Sequence, residues 1–297
     1  MRRACIDIGS NTTRLLVADC DGDGGLRECR QERAFTLIGR SLDVSGTIPA
    51  EKLAEVLAAV VAQHRLALEL GAREVRCVAT AAIRRAANGA ALVGLISEAC
   101  AGLELEILSA AEEARLAFVG AAWGVGAATE TGLAVVDAGG GSSELVVGDP
   151  PAAVRWWVSL PVGSGNVTRR WLLSDPPAAG EIAAARAGVR RAFHGVEPPA
   201  DVSRLVAVGG SATTLRTLVG PVLDSPVLAR LLATAQRLSA AELARDCGID
   251  SQRARLLPGG LLILQAVSEL FAMPLEIGRG GLREGLLLEP AGRPRHQ

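Results

Sequence analysis

Two segments of this chain carry the same order of residues 130 positions apart (137 − 7). The first reads CIDIGSNTTRLLVAD (residues 5–19) and the second reads VVDAGGGSSELVVGD (residues 135–149). Laid over each other without a gap, they align Asp7 with Asp137, a glycine with a glycine, and a hydroxyl pair with a hydroxyl pair. Each segment joins two apolar, β-type runs through a glycine- and hydroxyl-rich turn, which predicts a β-hairpin. Self-similarity at a fixed offset indicates a duplicated unit, so the fold must contain this hairpin twice.

Strands alternate with helices after each hairpin. In the first half we predict strands at 4–8, 13–18, 74–80 and 103–109, and helices at 50–70, from Asn88 to about 100, and at 109–122. In the second half we predict strands at 133–138, 144–148, 153–160, 204–210 and 274–278, and helices at 164–173, 177–193, after a Ser239–Glu242 capping box, at 259–272 and at 282–288. This order predicts an α/β fold of two duplicated domains with a cleft between them.

A glycine-rich segment divides the two predicted domains. Residues 123–132 (WGVGAATETG) are small and flexible in composition, which is typical of a boundary or hinge. We therefore predict domains at 1–124 and 125–297, with the two halves closing on a substrate about this segment.

Composition excludes several classes of protein. The net charge is −1, so no global positive field draws the chain to nucleic acid or to a membrane. The six cysteines are scattered and form no C-x-x-C pair, which favours reduced core residues over a zinc site or disulfides. Charged residues interrupt the N-terminal segment, and no run reaches about 18 uncharged apolar residues. We expect a soluble cytoplasmic protein with no nucleic-acid or membrane partner.

The two predicted turns have the chemistry of phosphate loops. Glycine lets backbone N–H groups approach an anion closely, and Ser or Thr adds further donors. The aspartate that begins each turn can hold Mg²⁺, which in turn contacts phosphate oxygens. One such hairpin is more often only a turn, but two in register favour phosphate binding. The candidate phosphate ligands are Gly9, Ser10, Asn11 and Thr12 in the first turn, and Gly139, Gly140, Gly141, Ser142 and Ser143 in the second.

A third glycine–hydroxyl segment, LVAVGGSATTL (205–215), lies between a predicted strand and helix. Gly210 and Ser211 could bind an anion there through their N–H groups. The alternative, that Gly209 and Gly210 only form a tight turn, is equally consistent with the sequence.

One of two neighbouring arginines, and one of two neighbouring glutamates, are further candidates for the chemistry. Arg84 and Arg85 follow a strand end, where α/β proteins usually bind ligands, so one of them is a candidate phosphate ligand. Ser109 and Glu112 have the spacing of a capping box, which gives Glu112 a structural role. Glu113 has no such explanation. It could orient or deprotonate a water molecule, or it could be a surface acid near a helix N-terminus.

Seven motifs in order make the chain resemble the exopolyphosphatase / guanosine pentaphosphate phosphohydrolase family, within the actin / sugar kinase / heat-shock ATPase superfamily. They cover nearly the whole chain and read DIGSNTTRLLV, VATAAIRRAANG, ILSAAEEARLAFVGA, VVDAGGGSSELVVG, SLPVGSGNVTRRWL, VAVGGSATTL and GLREGLLL. The resemblance implies two actin-like (ribonuclease H-like) domains and Mg²⁺-dependent hydrolysis of terminal phosphoanhydrides, with Mn²⁺ as the alternative ion.

The resemblance also implies roles for individual residues. Glu113 is similar in position to the family's catalytic glutamate, and Arg84 to its phosphate-contacting arginine. Asp137 and Glu144 are similar to its metal-associated acids, and Asp7 is the equivalent acid of the first loop. The segment GSGNVTRR lacks the acid that often follows its threonine in the family. The length of 297 residues resembles the short, two-domain form of the family, and a homodimer is a further expectation.

Four functions remain open on the sequence. The first is an exopolyphosphatase acting on inorganic polyphosphate, and the second is a guanosine pentaphosphate (pppGpp) 5′-phosphohydrolase. No guanine pocket can be identified, since the chain has no tyrosine and only 3% aromatic residues. The third is an ATP-dependent kinase of the same superfamily, although no acceptor motif is found. The fourth is a non-catalytic nucleotide or polyphosphate sensor, which the intact acids argue against.

Overall fold

The computed structural model describes residues 1–21, 24–126 and 131–289, apart from the side chains of residues 43–45. The chain divides into two compact units. Unit 1 consists of Met1–Gly120 and the C-terminal stretch that begins at Gly280, and unit 2 consists of Ala121–Arg279. Part of the predicted hinge, residues 127–130, lies outside the described residues.

The helices and strands alternate along the chain as the sequence predicts. The N-terminal part contains β1 (Arg2–Ile8), β2 (Thr13–Cys20), β3 (Leu26–Ala34), α1 (Ile38–Ser45), α2 (Ala50–Glu69), β4 (Glu74–Ala79), α3 (Ala81–Arg85), α4 (Ala91–Ala99), β5 (Leu105–Ile107) and α5 (Ala110–Gly124). The remainder contains β6 (Leu133–Ala138), β7 (Ser143–Asp149), β8 (Ala153–Leu160), α6 (Ser164–Trp171), α7 (Ala179–Ala192), β9 (Arg204–Val208), α8 (Gly209–Val219), β10 (Val222–Leu223), α9 (Ser225–Ala235), α10 (Ala240–Cys247), α11 (Ser251–Phe271), β11 (Leu275–Ile277) and α12 (Leu282–Leu288).

The two sheets have the same topology, which confirms the duplicated α/β fold. In unit 1 the order is β3-β2-β1-β4-β5, with an antiparallel meander β1–β3 followed by two parallel strands. In unit 2 the order β8-β7-β6-β9-β11 repeats this arrangement, and β10 is added at the edge. Each unit therefore has the mixed sheet of the actin-like, ribonuclease H-like fold.

The hairpin registers are also equivalent. Asp7 lies opposite Arg14 in the β1–β2 pair, and Asp137 lies opposite Glu144 in the β6–β7 pair. Because Arg14 and Glu144 are themselves 130 positions apart, the alignment of the sequence predicts the register of both hairpins. Alternation along each strand then places Asp7 and Asp137 on corresponding faces of the two sheets.

Each sheet is covered by helices whose apolar side chains form its core. In unit 1, α2 and α4 contribute Val56, Val60, Leu92 and Ile96 to one face. The other face of that sheet packs against residues of α5 and α12, which are Leu116, Leu282, Leu286 and Leu287. In unit 2, helices α6 to α11 form a single core with one face of the sheet.

Helix α11 alone, within the described part of the chain, is long and apolar enough to cross a membrane by length and composition. Two thirds of its apolar window (67%) is buried. Leu261, Leu262, Ile263, Leu264 and Val267 belong to the core of unit 2. Its composition is therefore explained by packing within that unit.

The C-terminal helix belongs to unit 1, whereas the predicted division at residues 124 and 125 places it in the second domain. Arg3 Nη1 donates to the carbonyl oxygens of Leu287 (3.1 Å) and Glu289 (2.9 Å), and Arg76 Nη1 donates to that of Leu286 (3.3 Å). The last carbonyls of a helix have no intrahelical donor, so the two guanidinium groups cap α12 from strands β1 and β4. The chain thus returns to unit 1 after completing unit 2.

Several elements were not predicted. Strand β3 is mostly exposed and carries Arg and Glu residues instead of an apolar face, so it has no hydrophobic periodicity. Helices α1, α3 and α9 and strand β10 are likewise absent from the prediction. Helix α11 begins at Ser251, eight residues before the predicted start, and contains Pro258. The Asn88 side chain hydrogen-bonds both backbone groups of Ile48, and α4 begins after Ala90.

Helices α5 and α12 cross with almost no space between their backbones. A Cβ atom added at Gly120 would lie 2.0 Å from the carbonyl oxygen of Gly281, and one at Gly285 would lie 2.0 Å from that of Leu116. Only glycine permits this approach, because the obstructing atoms are backbone.

We expect Gly120→Ala to destabilise unit 1 by about 1–3 kcal/mol, since the two helices must separate to admit the methyl group. Gly94→Ala is the matched control, because Gly94 lies in α4 with open space around its Cα. That change should raise stability by up to about 1 kcal/mol through helix propensity. Thermal melting of both variants tests the contact, and equal melting temperatures would contradict it.

Candidate active site

The first predicted phosphate loop joins β1 to β2. Its turn is closed by a hydrogen bond from the Gly9 N–H to the Thr12 carbonyl at 2.9 Å. The carbonyl oxygens of Ser10 and Asn11 accept hydrogen bonds from the N–H groups of Gly39 (2.8 Å) and Leu37 (3.0 Å), at the start of α1. Within the described residues, the N–H groups of Ser10, Asn11 and Thr12 donate no hydrogen bond. The carbonyl groups of this loop therefore accept hydrogen bonds from the protein, whereas its N–H groups can donate to an anion.

The second loop joins β6 to β7 and is built in the same way. The Gly139 N–H donates to the Ser142 carbonyl at 3.0 Å. The carbonyls of Gly139 and Gly140 accept hydrogen bonds from the first N–H groups of α6, and the Gly141 carbonyl accepts one from the Asn166 side chain at 2.8 Å. In the part of the chain that is described, the N–H groups of Gly140, Gly141 and Ser142 have no acceptor.

The second hydroxyl of this loop lies away from these donors. Ser143 is fully buried, and its Oγ donates to the Val162 carbonyl at 2.6 Å. This placement differs from the predicted role of a phosphate ligand. Ser143 is the first residue of β7, and strand alternation turns its side chain toward the core of unit 2, opposite to Glu144.

Asp7, the second-last residue of β1, has an unusual environment for a carboxylate. Its Oδ1 is sealed from solvent and has no hydrogen-bond partner among the described residues. Burial raises the pKa of the Asp7 carboxyl, and the positive charges of Arg283 and Arg14 oppose part of that shift, while Glu284 adds to it. An unpartnered buried carboxylate oxygen is costly unless a cation or a donor binds it, so this atom suits a metal ion or its coordinated water.

In unit 2, two carboxylates lie directly opposite each other on neighbouring strands. Asp137 and Glu144 are register partners, a position in which Cβ atoms are about 5 Å apart. Glu144 is 1% exposed and accepts a hydrogen bond from Ser159 Oγ at 2.8 Å. Asp137 Oδ1 lies close against Gly209, where an added Cβ would be only 2.3 Å away. Two like charges so placed favour a cation between or beside them.

Three carboxylates are candidates for holding a metal ion: Asp7 in unit 1, and Asp137 with Glu144 in unit 2. No group of three or more His, Cys, Asp or Glu side chains suited to a metal is found in the described residues. Mg²⁺ usually keeps several waters and takes only one or two protein carboxylates together with substrate phosphates. Within unit 2, the register pair Asp137 and Glu144 matches that number of carboxylates.

Glu113 and Arg84, both singled out from the sequence, are in direct contact within unit 1. Glu113 lies in the first turn of α5 and is 8% exposed. Arg84, in the last turn of α3, donates from Nη1 to Glu113 Oε2 at 3.0 Å and to the Leu108 carbonyl at 2.6 Å. The structure thus places a largely buried carboxylate and a guanidinium side by side at the carboxyl ends of β4 and β5.

The neighbouring Glu112 has different contacts. The Glu112 N–H makes the predicted capping bond, because it donates to Ser109 Oγ at 3.1 Å. Its carboxylate, which the sequence predicts to reach back to the Ser109 N–H, accepts hydrogen bonds from Arg115 Nε (2.9 Å) and Nη2 (2.6 Å). Arg115 also pairs with Glu289 beyond the end of α12. Glu112 therefore belongs to a network of ion pairs at the C-terminal helix.

The third glycine segment forms the first turn of α8, directly after β9. The Gly210 carbonyl accepts a hydrogen bond from Arg253 Nη1 at 2.6 Å. Arg253 Nη1 also donates to Thr214 Oγ1 at 2.6 Å. Sequence reasoning missed Arg253 because it did not predict the first two turns of α11. The residue that could have indicated the earlier start of α11 is Asp250, whose side chain caps that helix.

Comparisons with known proteins give consistent results. The model of the Ppx/GppA phosphatase family matches residues 17–293. Exopolyphosphatase 2 of Mycobacterium tuberculosis is 31% identical, with 90% of each chain covered, and exopolyphosphatase 1 of the same organism is 29% identical over 97% of this chain and 88% of its own. The structure of a PPX-GPPA enzyme from Aquifex aeolicus matches with a TM-score of 0.78 at 30% identity, covering 97% of this chain and 99% of that one.

Proposed function

Because the chain belongs to the Ppx/GppA phosphatase family, we propose that it is an exopolyphosphatase, an enzyme that hydrolyses the terminal phosphoanhydride bond of inorganic polyphosphate. The observation that carries this proposal is the pair of equivalent loops, each with hydrogen-bonded carbonyls and with N–H groups that have no acceptor among the described residues. The near-full-length similarity to named exopolyphosphatases supports the choice of substrate.

Polyphosphate is recognised by charge and hydrogen bonding, since it consists only of phosphate groups. The chain has a net charge of −1, so attraction must come from local donors and not from the field of the whole molecule. Two donor loops, one in each unit, and Arg84 supply such local groups. Phosphoryl transfer needs little from the protein beyond positioning and stabilisation of charge, and these residue types provide both.

In the proposed reaction, water attacks the terminal phosphorus. A new P–O bond forms to the water oxygen, the bridging P–O bond breaks, and the shortened polyphosphate leaves with the bridging oxygen. Glu113 orients the water and accepts its proton. The loop N–H groups and Arg84 bind the oxygens on which negative charge accumulates.

In this proposal Arg84 binds both the Glu113 carboxylate and the substrate. Its hydrogen bonds to Glu113 and to the Leu108 carbonyl both use Nη1. The remaining edge of the guanidinium, Nε with Nη2, has the geometry that binds two phosphate oxygens at once. The same side chain can thus hold Glu113 in position and bind the terminal phosphate beside it.

We expect Arg84→Lys to lower kcat/KM for polyphosphate by about tenfold or more, although the charge is kept. An ammonium group cannot bind Glu113, the Leu108 carbonyl and two phosphate oxygens in the same geometry. Arg85→Lys is the control, because Arg85 is the exposed neighbour in the same helix turn. Steady-state kinetics of both variants test the assignment, and an impaired Arg85→Lys with a normal Arg84→Lys would transfer the role to Arg85.

The proposed cofactor is Mg²⁺, with Mn²⁺ as the alternative, and the candidate ligands are Asp7 in unit 1 and Asp137 with Glu144 in unit 2. When bound, such an ion neutralises charge on phosphate oxygens and orients them. The protein residues contribute the carboxylate oxygens, including the buried Asp7 Oδ1 that has no donor among the described residues.

The experiment that tests the function compares substrates side by side. Phosphate release from polyphosphate, guanosine pentaphosphate and ATP should be measured with Mg²⁺, with polyphosphate expected to give the highest kcat/KM. A preference for guanosine pentaphosphate would assign the alternative function, and turnover of ATP with transfer to an acceptor would indicate a kinase. A homodimer and a cytoplasmic location stay predictions.

A further inference from the structure

Each phosphate loop is hydrogen-bonded to a helix of its own unit: the first loop to α1, which follows β3, and the second loop to α6, which follows β8. Ser10 and Gly140 are equivalent positions of the repeat. The Ser10 carbonyl accepts a hydrogen bond from the Gly39 N–H at 2.8 Å, and the Gly140 carbonyl accepts one from the Gly165 N–H at 3.0 Å. Gly39 lies in the first turn of α1 and Gly165 in that of α6. The loop therefore caps the helix in each unit.

In each unit, a buried hydroxyl at the end of the loop makes a second contact with the segment just before that helix. Thr13 Oγ1 lies 3.2 Å from Thr36 Oγ1, and Ser143 Oγ donates to the Val162 carbonyl at 2.6 Å. Thr36 and Val162 each stand one residue before the N-cap of the helix, which is Leu37 in α1 and Gly163 in α6. Thr13 and Ser143 are fully buried and are equivalent in the repeat.

We propose that Thr13 and Ser143 are positioning residues, which hold the two phosphate loops against their capped helices so that the loop N–H groups face the anion. This inference rests on the proposed function of the loops. The hydroxyl pair of each repeat is thus divided: the first member, Thr12 or Ser142, lies in the loop, and the second fixes the loop from inside the core.

The physical reason is pre-organisation. A loop that is hydrogen-bonded only through its carbonyls can still rotate its peptide planes about those contacts. A second hydrogen bond, from the first residue of the following strand, fixes the point at which the loop ends and the strand begins. Donors that are already oriented bind an anion without the cost of ordering them, and this determines how well they stabilise developing charge. In unit 1 a third group contributes, since Gln63 Nε2 donates to the Thr13 carbonyl at 3.0 Å from α2.

The test compares Ser143→Ala with a matched control, Ser268→Ala. Ser268 is also a buried serine of unit 2, 7% exposed, and its Oγ donates to the Met273 carbonyl at 2.7 Å, at the end of α11. Each variant loses one buried hydrogen bond to a carbonyl, so both should lower the melting temperature by a similar amount. Only Ser143→Ala should also raise KM for polyphosphate and weaken binding of inorganic phosphate, each by about tenfold.

Ser143→Thr keeps the hydroxyl and should restore both KM and the affinity for inorganic phosphate, measured by titration calorimetry. Should Ser143→Ala not fold, Thr13→Val removes the equivalent hydroxyl at constant volume and carries the same comparison. Kinetics and phosphate affinity of Ser143→Ala equal to those of Ser268→Ala would overturn the inference and leave the proposed function intact. A wild-type protein that binds phosphate but does not hydrolyse polyphosphate would contradict the function, while the phosphate titration still decides the positioning role.

Discussion

Glu113→Gln is expected to lower the turnover of polyphosphate by roughly 10²-fold or more, with KM nearly unchanged. Glutamine keeps the size of the side chain and an oxygen that accepts the hydrogen bond from Arg84 Nη1. It loses the basic carboxylate that the proposed reaction uses to take a proton from water. Because substrate contacts are kept, the loss should fall on kcat and not on KM.

Glu112→Gln is the matched control for this prediction, since both acids stand in the first turn of α5. Glu112 accepts two hydrogen bonds from Arg115, which also pairs with Glu289. Its replacement should therefore lower the melting temperature, at a cost of about 1 kcal/mol or less for a partly exposed pair, and leave turnover near that of the wild type. An inactive Glu112→Gln together with an active Glu113→Gln would show that the catalytic assignment is wrong by one residue.

Asp137→Asn is expected to abolish most activity and to remove its dependence on Mg²⁺. Asp137 lies opposite the buried Glu144 and packs against Gly209, so an amide of the same size fits the space. An amide oxygen is a poorer ligand for Mg²⁺ than a carboxylate, and the paired negative charge is lost. The measurement is phosphate release across a titration of Mg²⁺, with the melting temperature recorded in parallel.

Asp149→Asn provides the comparison for the metal assignment. Asp149 ends β7 in the same unit, where it accepts a hydrogen bond from the Gly132 N–H at 2.9 Å and pairs with Arg155 Nε at 3.0 Å. Its loss should change stability modestly and leave the Mg²⁺ titration unaltered. A wild-type rate and metal titration in Asp137→Asn would remove Asp137 from the metal site.

Much of the candidate site could be proposed from the sequence because its residues are close together in the chain. The acid, glycines and hydroxyls of each loop follow one another within a hairpin, and Glu113 lies one residue after a capping box. The Ser239–Glu242 box was confirmed with both reciprocal hydrogen bonds. Such features depend on contacts between residues a few positions apart, which a local pattern records directly.

What the sequence determined by itself is the duplicated fold, the register of the two hairpins and the order of most helices and strands. The tertiary structure alone decided that α12 packs on unit 1, that Arg115 pairs with Glu289, and that Ser143 bonds Val162 inside the core. It also decided that the charged segment Leu26–Ala34 forms a strand, which pairs with β2. The first three outcomes depend on a partner that is distant in the chain, whereas β3 forms because its backbone pairs with β2, which hydrophobic periodicity does not record. Periodicity reports how a segment can fold, whereas the partner that satisfies its polar groups is set by packing.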